Sequence, residues 1–190
     1  MYFGYTFDFK CSHSVKVIQA IWNAQGPLEW RGSDSEVYGV NLVSRLPGYN
    51  ARIRVLGEAP DYELEIDLDA VEGTLESIEL GVLSAVLGTL LPTIEVKEVR
   101  ETSSRPQPPR FPRCWIMGVS PVKIALTKEQ GAEVLAYDAK TGSLISPAEL
   151  TRKTLPPTEP GAKQVLADGV TRVTEEEFNR RLAELRAKLK

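Results

Sequence analysis

Residues 74–91, TLESIELGVLSAVLGTLL, closed by Pro92, decide the fold. The apolar pattern runs well past the usual strand of about 4–8 residues, so it predicts a helix. Leu75, Ile78, Val82 and Val86 share one face, and Leu80, Leu83, Leu87 and Leu91 cover another. Gly81, Ala85 and Gly88 form a third line of small residues. Each glycine costs a helix about 1 kcal/mol against Ala, and close approach of a neighbouring backbone is the expected compensation. A helix that is apolar on almost every side must be buried. Its uncharged run 80–91 is shorter than the roughly 20 residues of a membrane span, and Glu76 and Glu79 flank it. The stretch is therefore read as a core helix, with no membrane partner.

Upstream, YELEIDLD places Tyr62, Leu64, Ile66 and Leu68 on one side and Glu63, Glu65, Asp67 and Asp69 on the other. This is a strand with one face in the core. ARIRVLG precedes it as a strand whose Arg52 and Arg54 match the acidic face, so cross-strand ion pairs are expected there. EVYGVNLVSRL is a further strand, with Pro47-Gly48-Tyr49-Asn50 as a turn. At the N-terminus, Phe3, Tyr5, Phe7 and Phe9 alternate with Gly4, Thr6 and Asp8, which predicts a strand. SVKVIQAIWNA then predicts a helix, capped by Ser12 or Ser14 and ended by Gly26 and Pro27. Residues 28–35 read as a loop with at most a short strand. TIEVKEVRE, after the central helix, reads as the last strand of this part.

Strand, helix, three strands, helix, strand predicts an α+β domain over residues 1–102: a mainly antiparallel sheet with two helices on one face. The order resembles a ferredoxin-like βαββαβ sandwich with one extra strand. That likeness is one of topology and implies no particular function. Residues 103–113, SSRPQPPRFPR, read as a stiff Pro-rich linker. Residues 114–190 read as an extended arm of short strands (CWIMGV, VKIAL) and helices. Three capping boxes start the helices: Thr127 with Gln130, Ser146 with Glu149, and Thr174 with Glu177. They predict helices near 128–136, 147–153 and 175–189. Asp168-Gly169 predicts a hairpin, and TLPPTEPG a second Pro-rich connector. The last helix sets Phe178, Leu182, Leu185 and Leu189 on one narrow stripe, the seam of a helix that docks on this chain or on a partner.

Across all 190 residues the net charge is −3, but it is unevenly divided. Residues 1–104 carry 8 basic and 16 acidic side chains and residues 105–190 carry 15 and 10, giving net charges of −8 and +5. Such a split marks either a binding surface or two halves that attract each other. Cys11 and Cys114 supply neither a metal framework nor a disulfide framework. MYFGYTFDFK lacks the basic region and apolar core of a secretory leader, so the cytoplasm is the expected compartment.

Chemistry is sparse. His13, the single histidine, lies two residues from Cys11, an arrangement that can activate a thiol, but no oxyanion or glycine-rich signature accompanies it. The carboxylates of 63–69 lie along a straight strand, whereas calcium sites wrap their ligands around a loop. Phosphate loops, dinucleotide fingerprints and zinc spacings are missing from the sequence. No cofactor, metal or catalytic residue is assigned. Arg105, Arg110 and Arg113 with Phe111 and Trp115 interleave basic and aromatic groups in the manner of single-strand binders. The leading expectation is a non-catalytic protein–protein interaction module, binding a partner or itself through Phe178, Leu182, Leu185, Leu189, Arg110, Phe111 and Arg113. A small-molecule-binding regulatory domain is the second expectation, and nucleic-acid binding through the basic C-terminal half the third.

Overall fold

The computed structural model describes residues 2–25, 28–35, 39–46, 50–69, 75–102, 111–127, 131–155 and 169–189. Among these residues the fold is α+β, with two antiparallel sheets and four helices. The first sheet takes β1 (Tyr2–Lys10), β2 (Trp30–Ser35), β3 (Gly39–Leu46), β4 (Asn50–Glu58), β5 (Asp61–Asp69) and β6 (Val99–Thr102), in the order β2-β3-β4-β5-β1-β6. Helix α1 (Val15–Gln25) carries the chain from β1 to the far edge, and β2–β5 meander back until β5 lies against β1. Residues 30–35 are a full strand rather than a loop. That strand gives the meander an even number of members, which is what sets β5 antiparallel to β1. Asn23 of α1 accepts from the Trp30 N–H at 2.7 Å and donates to its carbonyl at 3.0 Å, so a side chain serves as the missing neighbour of this edge strand.

Pleat and register put the apolar rows inside. Tyr5 faces Ile66, Phe7 faces Leu64 and Phe9 faces Tyr62, and all six are buried. On the opposite face the expected ion pairs form: Arg54 to Glu65 at 2.5 Å and Arg52 to Asp67 at 3.2 Å. The turn expected at 47–50 falls outside the described residues except for Asn50, the first residue of β4.

The central helix, α2 (Leu75–Ala85), passes into a π-helical turn (Val86–Leu90) and then a 3-10 turn (Leu91–Ile94). By length and composition the run Glu76–Ile94 could cross a bilayer, and it is largely buried inside the protein. It continues past Pro92, which sits in the first turn of the 3-10 segment, where a missing N–H costs little. The strand expected over 93–101 is corrected accordingly: Thr93 and Ile94 are helical, Glu95 ends the helix at φ +53°, and β6 starts only at Val99. Trp22 of α1 donates its indole N–H to the Leu90 carbonyl at 3.0 Å, tying both helices on the same face of the sheet.

β7 (Arg113–Met117), β8 (Ser120–Thr127), β9 (Gly131–Ala136) and β10 (Val170–Val173) form the second sheet, in the order β10-β7-β8-β9, so Arg113, expected to close the linker, is instead the first residue of a strand. Helices α3 (Pro147–Thr154) and α4 (Glu175–Lys188) flank it, and both expected caps are made: Ser146 accepts from the Glu149 N–H, and Thr174 from that of Glu177. The helix expected over 128–136 is a correction. Residues 131–136 are strand β9, and 128–130 lie outside the described residues. A helix of that length is marginal alone, whereas GAEVLA gains a complete ladder with β8 and starts at Gly131 with φ +77°. Gly169, at φ +85°, precedes β10, while Asp168 and the connector at 156–161 lie outside the described residues.

Both parts of the chain fill one core. Trp115, Val122, Ile124, Ala136, Ile145, Leu150 and Leu155 join the same buried cluster as Phe7, Leu64 and Leu83. Small residues at 77, 81, 84 and 88 let α3 lie close against α2 and the π turn. A Cβ on Gly81 would stand 2.6 Å from Leu155 Cγ, and one on Gly88 would stand 2.7 Å from Val134 Cγ2 and 2.9 Å from Pro147 Cβ. Ser77 donates to the Thr154 carbonyl at 3.4 Å and Ser84 to that of Pro147 at 3.1 Å, so α3 runs antiparallel to α2.

Candidate functional site

On the outer face of the first sheet, at the end of the β4–β5 hairpin, is a cleft of about 520 Å³, a volume within the range that holds small ligands. Its charged lining is Asp8 and Lys10 from β1, Asp61 and Glu63 from β5, and Glu98 and Arg100 at β6. Register explains the gathering: Glu63 faces Asp8 across β5–β1, and Asp8 faces Arg100 across β1–β6. Gly57 forms part of the wall at φ +101°, and a Cβ there would lie 2.6 Å from the Asp61 carbonyl oxygen. Buried Tyr62, at that end of the cleft, stacks on Phe9 at 5.3 Å and donates its hydroxyl to the His13 carbonyl at 2.7 Å.

The electrostatics of the cleft are unbalanced. Lys10 pairs with Glu98 at 3.4 Å, whereas Asp8, Asp61, Glu63 and Arg100 make no ion pair among the described residues. Directly opposed like charges disfavour a sheet, and the cost shows at Glu63. Its carboxyl is pushed up by burial first, then by Glu65 and Asp8, against the lowering effect of Arg54. The acidic row of β5 is thus divided: Glu65 and Asp67 are occupied by arginines, and Glu63 faces the cleft. The side chain of Asp69 lies outside the described residues.

A second charged group is internal. Glu79 of α2 is fully buried. The Tyr5 hydroxyl donates to its Oε1 and Arg172 Nη2 to its Oε2, while Arg113 Nη1 lies 3.7 Å from Oε1. The Arg113 guanidinium also lies over the Tyr5 ring, 5.4 Å from its centroid. Burial, then the adjacent Glu79, push the Tyr5 phenol far above its ordinary range. Because β1, α2, β7 and β10 each contribute one member, this cluster pins the second sheet onto the first through the central helix. In the sequence Glu79 stands only as a flank of the uncharged run 80–91. Its one available signal was a carboxylate at a helix position otherwise surrounded by apolar residues.

The residues expected to bind a partner are dispersed. Phe178 and Leu185 are buried where α4 lies on β7 and β8, Leu182 is half-buried, and Leu189 is exposed beside Gly142. Phe111 packs edge-on against the Phe7 ring at 5.7 Å and the Tyr5 ring at 6.3 Å. Arg113 belongs to the Glu79 cluster, Trp115 is fully buried, and Arg105 and Arg110 lie outside the described residues. The sequence-adjacent basic and aromatic groups therefore do not form one surface among the described residues.

Cys11 is buried, and its thiol donates to the Ile94 carbonyl at 3.1 Å. Burial raises it above the ordinary thiol range, the opposite of an activated nucleophile. No grouping of three or more potential metal ligands occurs among the described residues. No protein-family model matches the chain, and no curated protein matches its sequence.

Proposed function

We propose that this chain is a non-catalytic binding protein that takes a small polar ligand in the cleft on the outer face of β5, β1 and β6. One observation carries the reading: a concave site of about 520 Å³ whose facing charges, Asp8, Glu63 and Arg100, have no ion-pair partner among the described residues. Small-molecule sites combine such concavity with a few convergent polar groups. A ligand that binds only the folded state raises its stability, so a thermal-shift screen of polar metabolites on the full chain should find compounds that raise Tm. Their effect should be lost in Asp8→Asn, and they should shift the backbone amide signals of Asp8, Tyr62 and Glu63. A complete screen in which no compound moves those amides would refute the reading.

Protein–protein association is the second reading. It is supported by the exposed Leu144 and Leu189, which flank Gly142 on the C-terminal part, and by the −8 and +5 division of charge. Light scattering on the full chain and on Leu189→Glu tests it, with a concentration-dependent dimer abolished by the substitution as the expected result. A strict monomer for both refutes self-association. A ferredoxin-like description of the first sheet belongs with these proposals: β1 between the last meander strand and β6 supports it, with a four-stranded meander in place of the hairpin.

A further inference from the structure

We propose that the cleft is a site for a dibasic amino acid, with ammonium groups against Asp8, Asp61 and Glu63 and the ligand carboxylate on Arg100. This rests on the binding reading above and specifies the ligand for the same cleft. The chemistry follows from the row Glu63–Asp8–Arg100, which crosses three adjacent strands. Neighbouring strands lie about 4.8 Å apart, so two carboxylates and a guanidinium stand side by side on one pleat. Asp8 and Arg100 carry opposite charge at paired positions and still make no ion pair among the described residues. Their charges therefore remain available to a molecule placed over the row. With Lys10 and Glu98 satisfying each other, three negative charges and one positive charge are left on the lining. Two ammonium groups and one carboxylate match that set in sign, one ammonium being shared by the facing Asp8 and Glu63 and the other set against Asp61.

Each part of the ligand has its own role. An ammonium between Asp8 and Glu63 relieves the repulsion of two directly opposed carboxylates. Arg100 offers a planar pair of donors to a carboxylate, a match in shape as well as charge. A plain diamine satisfies the first arrangement only, and a simple carboxylic acid only the second. Selectivity for both groups on one molecule separates this proposal from general attraction of cations to an acidic surface.

The test is calorimetric titration of the full chain with L-lysine, with cadaverine (the same diamine without the carboxylate) and with 6-aminohexanoate (one ammonium and the carboxylate). L-Lysine should bind at least about tenfold more tightly than either, the least difference that signifies one lost charged contact. Arg100→Gln should weaken L-lysine by a similar factor and leave cadaverine unchanged, while Glu63→Gln should weaken both. All these side chains lie on the outer face, so the variants are expected to fold, which their thermal transitions will verify. Cadaverine binding as tightly as L-lysine, or Arg100→Gln affecting both equally, overturns the proposed ligand class. If L-lysine is silent but another compound shifts the amides of Asp8, Tyr62 and Glu63, the ligand class is wrong and the cleft remains a binding site. If no compound of any class does so, both proposals fall.

Discussion

Gly88→Ala should destabilise this protein, although the same change in an open helix stabilises it. Alanine is worth about 1 kcal/mol over glycine in a helix interior, which is the gain to be overcome. At Gly88 the added methyl would stand 2.7 Å from Val134 Cγ2 and 2.9 Å from Pro147 Cβ, against about 3.5–4.0 Å for relaxed carbon contacts. Something must move by nearly 1 Å, and neither neighbour yields easily. Val134 is β-branched and sits in a strand paired to β8, and the Pro147 ring has no alternative rotamers at the start of α3. Overpacking of this kind costs about 1–3 kcal/mol. Two contacts place Gly88→Ala in the upper part of that range, so the net loss is about 1–2 kcal/mol. Urea denaturation should show a lower midpoint with an unchanged slope. Combining Gly88→Ala with Val134→Ala removes the closer obstacle, so the double variant should lose less than the sum of the single losses, by at least about 0.5 kcal/mol. A Gly88→Ala protein more stable than the parent by about 1 kcal/mol would refute the close approach of β9 and α3 to the central helix.

Three further outcomes are expected. Glu79→Gln removes the buried negative charge that faces two guanidiniums and should cost about 3 kcal/mol in urea denaturation; a loss below about 0.5 kcal/mol would mean that the cluster does not join the two sheets. Glu63, raised by burial and by neighbouring carboxylates, binds its proton more readily folded than unfolded. Its contribution therefore favours the fold at low pH and is lost as pH rises through the carboxylate range. Glu63→Gln should consequently raise Tm at pH 7 and have no effect near pH 3; the reverse order would overturn the assignment. Both cysteines are buried, with Cys114 pushed up to about 11 and Cys11 raised, so labelling by a thiol reagent at pH 8 should follow the rate of global unfolding. A fast first equivalent would show that one thiol is open to solvent in the native state.

Local chemistry in the sequence determined much of this protein. The alternation of Tyr62 to Leu68, the arginines that match Glu65 and Asp67, the two capping boxes at Ser146 and Thr174 and the buried helix at 75–85 all reflect interactions within a few residues or one strand pair. Non-local partners decided the rest. GAEVLA has no strong preference of its own and became strand β9 because β8 offered a ladder. Trp30–Ser35, polar over most of its length, is a strand because β3 pairs one edge and Asn23 satisfies the other at Trp30. The candidate cleft could not be read from the chain, because Asp8, Glu63 and Arg100 are tens of residues apart and only strand register places them in one row. Glu79 was equally hidden: a carboxylate on an apolar helix is tolerable only once Tyr5, Arg113 and Arg172 converge on it. Hydrophobic period and capping act between near neighbours and so are written locally, whereas pairing order and buried charge depend on which distant segments meet, and tertiary structure alone decides that.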